Sequence, residues 1–330
     1  MPASRNPFFI RTAEQMESDD QFLNLFGQSV LDILPKDGVW NRFLPIEGAP
    51  GSGKSTLLRL FTPTVLSSIE NIKARPELHD LVQTLTGMDA IDSHGVQVLG
   101  VLVNCKEDYS RLADLRLDSE DQHKALFKSL LNSRVTLLTI RAALQLTGHT
   151  YPADVDVIQF VPREDSSSNR PDSRPVQGRT LFDRARVVEE LILNSLNSFS
   201  PQAPTATDGL FVDDFLQILN SHRMVLGDQQ TPRHTLLMFD DAHMLESSQR
   251  LWLREDLERH DRTAFASWMA MRLRALEPLD LITEESRPGR ERFPPIQFGR
   301  WVTPKNESWY IEIEDRLAKN AQQDVSYLAA

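Results

Sequence analysis

The chain has 330 residues, of which 40% are hydrophobic, 25% charged and 8% aromatic; this ordinary globular balance excludes a wholly disordered, collagen-like or coiled-coil chain. The length allows two average domains or one large α/β domain. The net charge of −11 argues against a protein that coats nucleic acid and leaves only a local basic patch open, while the single cysteine, Cys105, excludes an intrachain disulfide and a cysteine-based zinc site. The longest apolar run, near residues 98–103, is a strand's length and well short of the roughly 20 residues that span a bilayer. Residues 1–11 lack the apolar stretch of a signal peptide. The expectation is a soluble, reduced, cytoplasmic globular protein.

Residues 13–34 read as a helix, with Phe22, Leu23, Phe26, Val30, Leu31 and Leu34 at helical spacing and acids near its start. A short apolar run over 43–47 leads into a glycine-rich turn, and a helical run follows from Lys54 to about Ser68. Residues 96–104 carry no charge and are rich in valine and leucine, as in a strand buried on both faces of a parallel sheet. Residues 119–146 form a long leucine-rich helix. A Ser- and Pro-rich stretch, 162–178, reads as a mobile loop, and 200–209 as a second link. Helices are expected over 181–196, 210–222 and 246–260, and strands over 235–239, 263–268 and 295–302. A basic, proline-rich turn covers 287–295, and a last helix 309–320. Strands alternating with helices predict an α/β fold built on one parallel sheet flanked by helices.

The octet Gly48-Ala49-Pro50-Gly51-Ser52-Gly53-Lys54-Ser55 matches G-x-x-x-x-G-K-S/T at every fixed position, between an apolar run and a helix. Glycine at 48, 51 and 53 permits backbone dihedrals and a close approach that a side chain would block. The loop can then turn its N–H groups onto phosphate oxygens, assisted by the start of the following helix, where Thr56 also lies. Lys54 is expected against the β- and γ-phosphates, and Ser55 on a magnesium ion. The plainer alternative is an ordinary glycine-rich turn.

Such a loop needs an acid at the tip of a neighbouring strand. Leu236-Leu237-Met238-Phe239-Asp240-Asp241 runs four apolar residues into paired acids, which suits a buried strand opening at its C-terminal end. Asp240 is the candidate metal ligand, and Asp241 the candidate for orienting or deprotonating water. A solvated Asp-Asp turn is the alternative. Aspartate at the second position is shorter than the common glutamate, which bears on hydrolysis more than on binding. His243 is expected to be structural or to act through a neighbouring site residue, and His234 to lie at the surface.

On these motifs the chain resembles the P-loop NTPases of the AAA+ class, and among them bacterial origin-recognition, or initiator-like, ATPases of defence-type gene cassettes. The resemblance rests on residues 46–58 and 236–243, and more loosely on 268–276 and 290–301. It implies ATP and Mg2+ as ligands. It also implies a polar residue that ends the strand after the first helix and restrains the acid, for which Asn104 is the candidate. A polar sensor on the strand after the acidic one is implied as well, and Ser267 is the candidate.

Asp240 lies far downstream of Lys54, so the resemblance implies a helical insertion between the Walker A and Walker B strands. The expected division is 1–118 for the loop-bearing half of the core, 119–230 for the insertion and 231–330 for the acidic half and a last helix. The helical lid and the winged-helix domain of complete relatives do not fit after Val302.

In AAA+ assemblies an arginine from a neighbouring subunit commonly completes the site. Arg272, Arg274, Arg287, Arg290, Arg292 and Arg300 are candidates, with surface solvation as the alternative for each. The Arg287–Arg300 cluster is also where a local nucleic-acid contact would fall; Phe293, Phe298 and Trp301 near it read as core. The expected function is slow Mg2+-dependent ATP hydrolysis coupled to assembly or conformational change of a homo- or hetero-oligomeric complex, such as an antiphage defence system. The alternative is a nucleotide-gated scaffold with little turnover that controls a partner effector such as a nuclease. A small-molecule kinase is a third reading, disfavoured by the lack of an evident acceptor site. The acidic balance suits docking onto a protein partner, with no membrane.

Overall fold

The structure is a computed structural model. It describes residues 18–35, 37–106, 108–115, 117, 119–163, 174–198, 215–227, 229, 231–260, 263–272 and 296–298. In chain order the elements are α1 (Asp19–Leu25), β1 (Phe43–Gly48), α2 (Lys54–Leu60), α3 (Pro63–Ile72), α4 (His79–Gly87), β2 (Ile91–Asp92), β3 (Gly95–Val96), β4 (Val98–Asn104), α5 (Glu120–Leu146), β5 (Ile158–Pro162), β6 (Val176–Gln177), α6 (Gly178–Leu196), α7 (Phe215–Ser221), β7 (His222–Leu226), β8 (His234–Asp240), α8 (Ser247–Arg259), β9 (Ala266–Arg272) and β10 (Ile296–Phe298).

Five strands form one parallel sheet in the order β10-β1-β9-β8-β4. Strand side chains alternate between faces, so each strand contributes to two cores. Leu44, Ile46, Val98, Leu236, Met238, Trp268 and Ala270 pack with α2, α3 and α4 on one face. Phe43, Leu99, Val101, Val103, Leu237, Phe239 and Met269 pack with α5, α6 and α8 on the other. The predicted α/β sheet flanked by helices is therefore present. Trp268 is fully buried, edge-on to Phe61 at 5.1 Å between ring centroids and stacked on Trp40 at 6.2 Å. Burying a large apolar side chain to this degree stabilises by roughly 1.5–3 kcal/mol.

Gly100 sets how closely α2 approaches the sheet. A Cβ there would lie 1.8 Å from the backbone oxygen of Phe61, the residue that caps α2. Only glycine lets that carbonyl rest on β4.

Several boundaries differ from the sequence reading. The helix expected over 13–34 is broken within its described part. Phe26 is extended at φ −70° and ψ 119°, and a 3-10 turn, Gln28–Ile33, takes over. The region expected as a helical insertion carries a three-stranded antiparallel sheet, β6-β5-β7, and the helix expected over 210–222 gives way to a strand at His222. This region shares one continuous core with the large sheet: Ile158, Phe160, Phe182 and Phe215 belong to the same cluster as Val101 and Phe239. The long helix α5 bridges the two, with Ser119 capping its start and the Asn132 carboxamide accepting the N–H of Phe215 at 3.2 Å.

The strand expected over 263–268 runs instead from Ala266 to Arg272. Of the strand expected over 295–302 the described part is β10, and of the mobile loop over 162–178 residues 164–173 lie outside the described residues, as do the helix over 309–320 and Arg274, Arg287, Arg290, Arg292 and Arg300. Among the described residues no helix is long and apolar enough to cross a membrane.

Candidate functional site

The glycine-rich loop leaves β1 at the C-terminal edge of the sheet and enters α2 at Lys54. Gly51 at φ +76° and Gly53 at φ +95° occupy left-handed backbone that side chains rarely adopt, so the motif's glycines have a local conformational cause. Ala49, Pro50 and Gly51 are exposed, Ser52 is buried, and Gly53, Lys54, Ser55 and Thr56 are half-buried. The first N–H groups of any α-helix lack intrahelical acceptors, which makes the start of α2 a donor surface.

The Lys54 ammonium is folded over its own loop. It donates to the carbonyls of Gly48 and Ala49, both at 2.9 Å, and to the Ser52 hydroxyl at 3.3 Å. Burial holds its pKa below the ordinary lysine value; Asp240 and Asp241 oppose that shift and Arg272 adds to it. The loop's own oxygens therefore fix the position of the ammonium.

Asp240 ends β8 on the α2 face, with the parity of Leu236 and Met238. Its side chain is buried, at 8% exposure. Burial raises its pKa; the Ser55 hydroxyl bonded to the carboxylate opposes this, the neighbouring Asp241 adds to it, and the Asp241 N–H, at 2.8 Å from Oδ1, and Lys106 oppose it. The loop serine and the strand acid, far apart in sequence, are thus hydrogen-bonded partners. A hydroxyl and a buried carboxylate on one spot fit a hard, oxygen-seeking cation. Magnesium is commonly held by one or two carboxylates together with substrate phosphates and water.

Asp241 sits in left-handed backbone, φ 53° and ψ 34°, and opens a 3-10 turn, Ala242–Met244. Lys106 Nζ pairs with its carboxylate at 2.8 Å, and the shielded ring of His243 places Nδ1 at 3.7 Å. Asn104 lies directly beside Asp240 in the β4–β8 register. Its carboxamide oxygen accepts the Lys106 N–H at 2.8 Å. The side chain that meets the second acid is thus Lys106, which the sequence reading passed over; a lysine two residues beyond a strand-ending asparagine was the signal available.

The structure does not bring Ser267 to this site. Ser267 stands opposite Phe43 and Leu237, and its N–H bonds to the Arg42 carbonyl, near the start of β1. It lies roughly 16 Å of strand from Arg272 at ~3.3 Å per residue, and its parity puts it on the α5 face. The residue of β9 opposite Gly48 is Arg272. The miss follows from the strand's length: β9 runs four residues past Trp268, and the uncharged run Trp268-Met269-Ala270-Met271 was the signal for it.

His234 lies at the other end of β8, half-buried under Trp40 at 5.5 Å and 3.0 Å from Asp89, so it is not a simple surface residue. Among the described residues, no group of three or more His, Cys, Asp or Glu side chains could hold a metal ion. No family model, curated protein or solved structure matches this chain.

Proposed function

We propose that the chain binds a nucleoside triphosphate, ATP by its resemblance to the AAA+ class, with Mg2+, and hydrolyses it slowly to drive assembly or conformational change in a larger complex, such as an antiphage defence system. The observation that carries this reading is the meeting of Ser55 with Asp240 beside the loop-held Lys54. Phosphate chemistry needs those groups on one spot.

In this reading the loop amides and Lys54 hold the β- and γ-phosphates. Ser55 and Asp240 would hold the magnesium ion, which when bound neutralises charge on the phosphates. Asp241 accepts a proton from water. The water oxygen bonds to the γ-phosphorus as the bond to the β,γ-bridging oxygen breaks, and ADP and inorganic phosphate leave. For Asp241 to act, its carboxylate must be shared with or released from Lys106.

The ion pair with Lys106 also favours a second reading, a nucleotide-gated scaffold whose turnover is held low and whose output belongs to a partner effector. Single-turnover hydrolysis by the full chain separates the two, measured alone and with the partner. Lys54→Ala is expected to abolish nucleotide binding in a folded protein, and unchanged affinity would refute the loop's assignment. Asp241→Ala is expected to bind ATP without cleaving it, and normal turnover would move the proton acceptor elsewhere. No hydrolysis by the unmodified chain in either setting sinks the ATPase reading and leaves the scaffold.

A further inference from the structure

The small antiparallel sheet has an edge that no described strand covers. Its order is β6-β5-β7, so among the described residues β7 is paired on one side alone. Hydrogen-bonded pairs alternate along such a ladder. Arg163 donates its N–H to the Ser221 carbonyl at 2.9 Å, and Gly227 donates to the Val157 carbonyl at 3.0 Å. These two bonds fix the alternation. In β7, Arg223 and Val225 turn their backbone groups toward β5, and Met224, between them, turns its N–H and C=O outward. Leu226 shares that outward direction, but its carbonyl already accepts the Gln229 N–H at 2.9 Å. The open part of the edge is therefore centred on Met224.

Parity also sorts the side chains. Ile158, Phe160, Leu226 and, in part, Met224 face the core. The opposite face carries Gln159, Val161 and Arg163 from β5 and Arg223 and Val225 from β7, with no carboxylate and no aromatic ring among them. Arg223 is exposed and stands opposite Val161; Arg163, two residues beyond Val161, is diagonal to it on the same face. The two guanidinium groups are close enough to interact: burial, and after it the charge of Arg223, disfavours the charged state of Arg163. An outward backbone N–H and C=O pair with another extended backbone, and positive charge beside them selects an acidic one. Nucleic acid has no amide ladder to add, and this face offers its bases no ring to stack on. A second copy is disfavoured for another reason. Two β7 edges joined antiparallel would put Arg223 of both copies on one face of the joined sheet.

We propose that β7 receives an extended segment of a partner protein as a fourth, antiparallel strand of the small sheet, with acidic side chains at alternate positions on the face of Arg223 and Arg163 and apolar ones on the core side beside Met224. This docking does not depend on the nucleotide reading. It places a partner on the region between β4 and β8, which shares its core with the large sheet.

The experiment uses the full chain as wild type, Arg223→Glu and Met224→Pro, with far-UV circular dichroism and thermal melts to establish that each is folded. Proline at 224 removes the outward N–H and spares the bonds to β5. The probe is a fluorescein-labelled decapeptide alternating glutamate and valine, followed by anisotropy. Three variants accompany it: lysine in place of glutamate, the same composition with the glutamates consecutive, and N-methylation of every valine. Wild type should bind the alternating acidic peptide saturably and the three variants at least roughly tenfold more weakly. Arg223→Glu should lose roughly tenfold or more in affinity for it, as reversal of an interfacial charge implies. Met224→Pro should lose binding.

No binding by wild type overturns the proposal and leaves Arg223 as a charge that guards the edge against pairing. Equal binding of the consecutive or N-methylated peptide, or full binding by Met224→Pro, shows charge attraction without a strand and overturns it too. Sedimentation of the unliganded chain tests the other occupant: a wild-type dimer that Met224→Pro dissociates gives the edge to a second copy. A labelled oligothymidylate that binds wild type but not Arg223→Glu, where the peptide fails to bind, gives the face to nucleic acid. Either result overturns the assignment to a partner protein.

Discussion

Replacing Gly100 by alanine adds one methyl group at the point where α2 rests on the sheet. The new Cβ would lie 1.8 Å from the Phe61 carbonyl oxygen and 2.8 Å from its carbon, so the backbone there must retreat by about 1.5 Å to reach ordinary contact. A side chain could rotate away, but this carbonyl belongs to the residue whose N–H caps α2 and whose ring is packed edge-on against Trp268 and Trp40. Overpacking of this kind typically costs 1–3 kcal/mol, and a backbone obstacle places it near ~3. The stiffer unfolded chain returns about 0.4–1 kcal/mol, leaving a net loss of about 2 kcal/mol. At roughly 2–4 °C per kcal/mol for a chain of a few hundred residues, Gly100→Ala should melt about 4–8 °C below wild type. Because α2 is only about 10 Å long, the shift should also reach Ser55 and weaken nucleotide binding. Gly87→Ala is the control. Gly87 lies in helical backbone with open space at its Cβ, so alanine there should leave stability unchanged or raise it by up to about 0.5–1 kcal/mol. Circular dichroism melts and urea titrations of the three proteins decide the matter. If Gly100→Ala melts like wild type, the close approach of α2 to β4 is wrong.

Ser267→Ala should leave nucleotide affinity and turnover unchanged, because Ser267 is on the opposite face and at the far end of β9; a fall in steady-state phosphate release would refute the register. Lys106→Ala should raise single-turnover hydrolysis by at most about fivefold, since a partly exposed ion pair is worth roughly 0.2–1 kcal/mol, and should leave the melting temperature within a few degrees of wild type. Loss of hydrolysis in that variant would instead make Lys106 a residue that positions Asp241.

Burial, with smaller contributions from Asp240 and Asp241, pushes the Cys105 thiol up, and burial pushes the Tyr109 hydroxyl up against the opposing charge of Arg134. Each is ionised by the unfolded chain but not by the folded one once pH passes its ordinary value. The folded state then holds the extra proton, and stability should fall by about 1.4 kcal/mol per pH unit for each group. Urea midpoints across the alkaline range should flatten in Cys105→Ala and Tyr109→Phe, and an unchanged slope in both would refute the assignment. Cys105 in the native protein should likewise resist alkylation until urea unfolds it, because a buried thiol kept protonated is a poor nucleophile.

Legibility in the sequence followed how local the determining physics is. The loop from Gly48 to Ser55 was readable because its requirements, left-handed glycines and a following helix, lie within eight consecutive residues. Asp240 was readable because an uncharged run ending in acids suits a buried strand reaching an open edge, and β8 is that strand. The start of α5 was readable from the long leucine-rich run that begins there, and Ser119 caps it. By contrast, the break in the first helix at Phe26 follows from its extended backbone, which apolar spacing alone did not reveal. The strand at His222 follows from its antiparallel partner β5 rather than from any pattern of its own.

The sequence by itself therefore determined the alternating α/β chain, the glycine-rich loop and the acid that such a loop requires. Tertiary structure decided which side chains share the site. Side chains alternate along a strand, so a residue's parity chooses its face and its register chooses its end, and both depend on pairing with strands distant in sequence. Along 264–271 no charge marks where the sheet's edge falls, so Ser267 and Arg272 cannot be ranked from sequence alone. Pairing of β9 with β1 places Arg272 at the loop, and pairing of β4 with β8 sets the turn from which Lys106 meets Asp241.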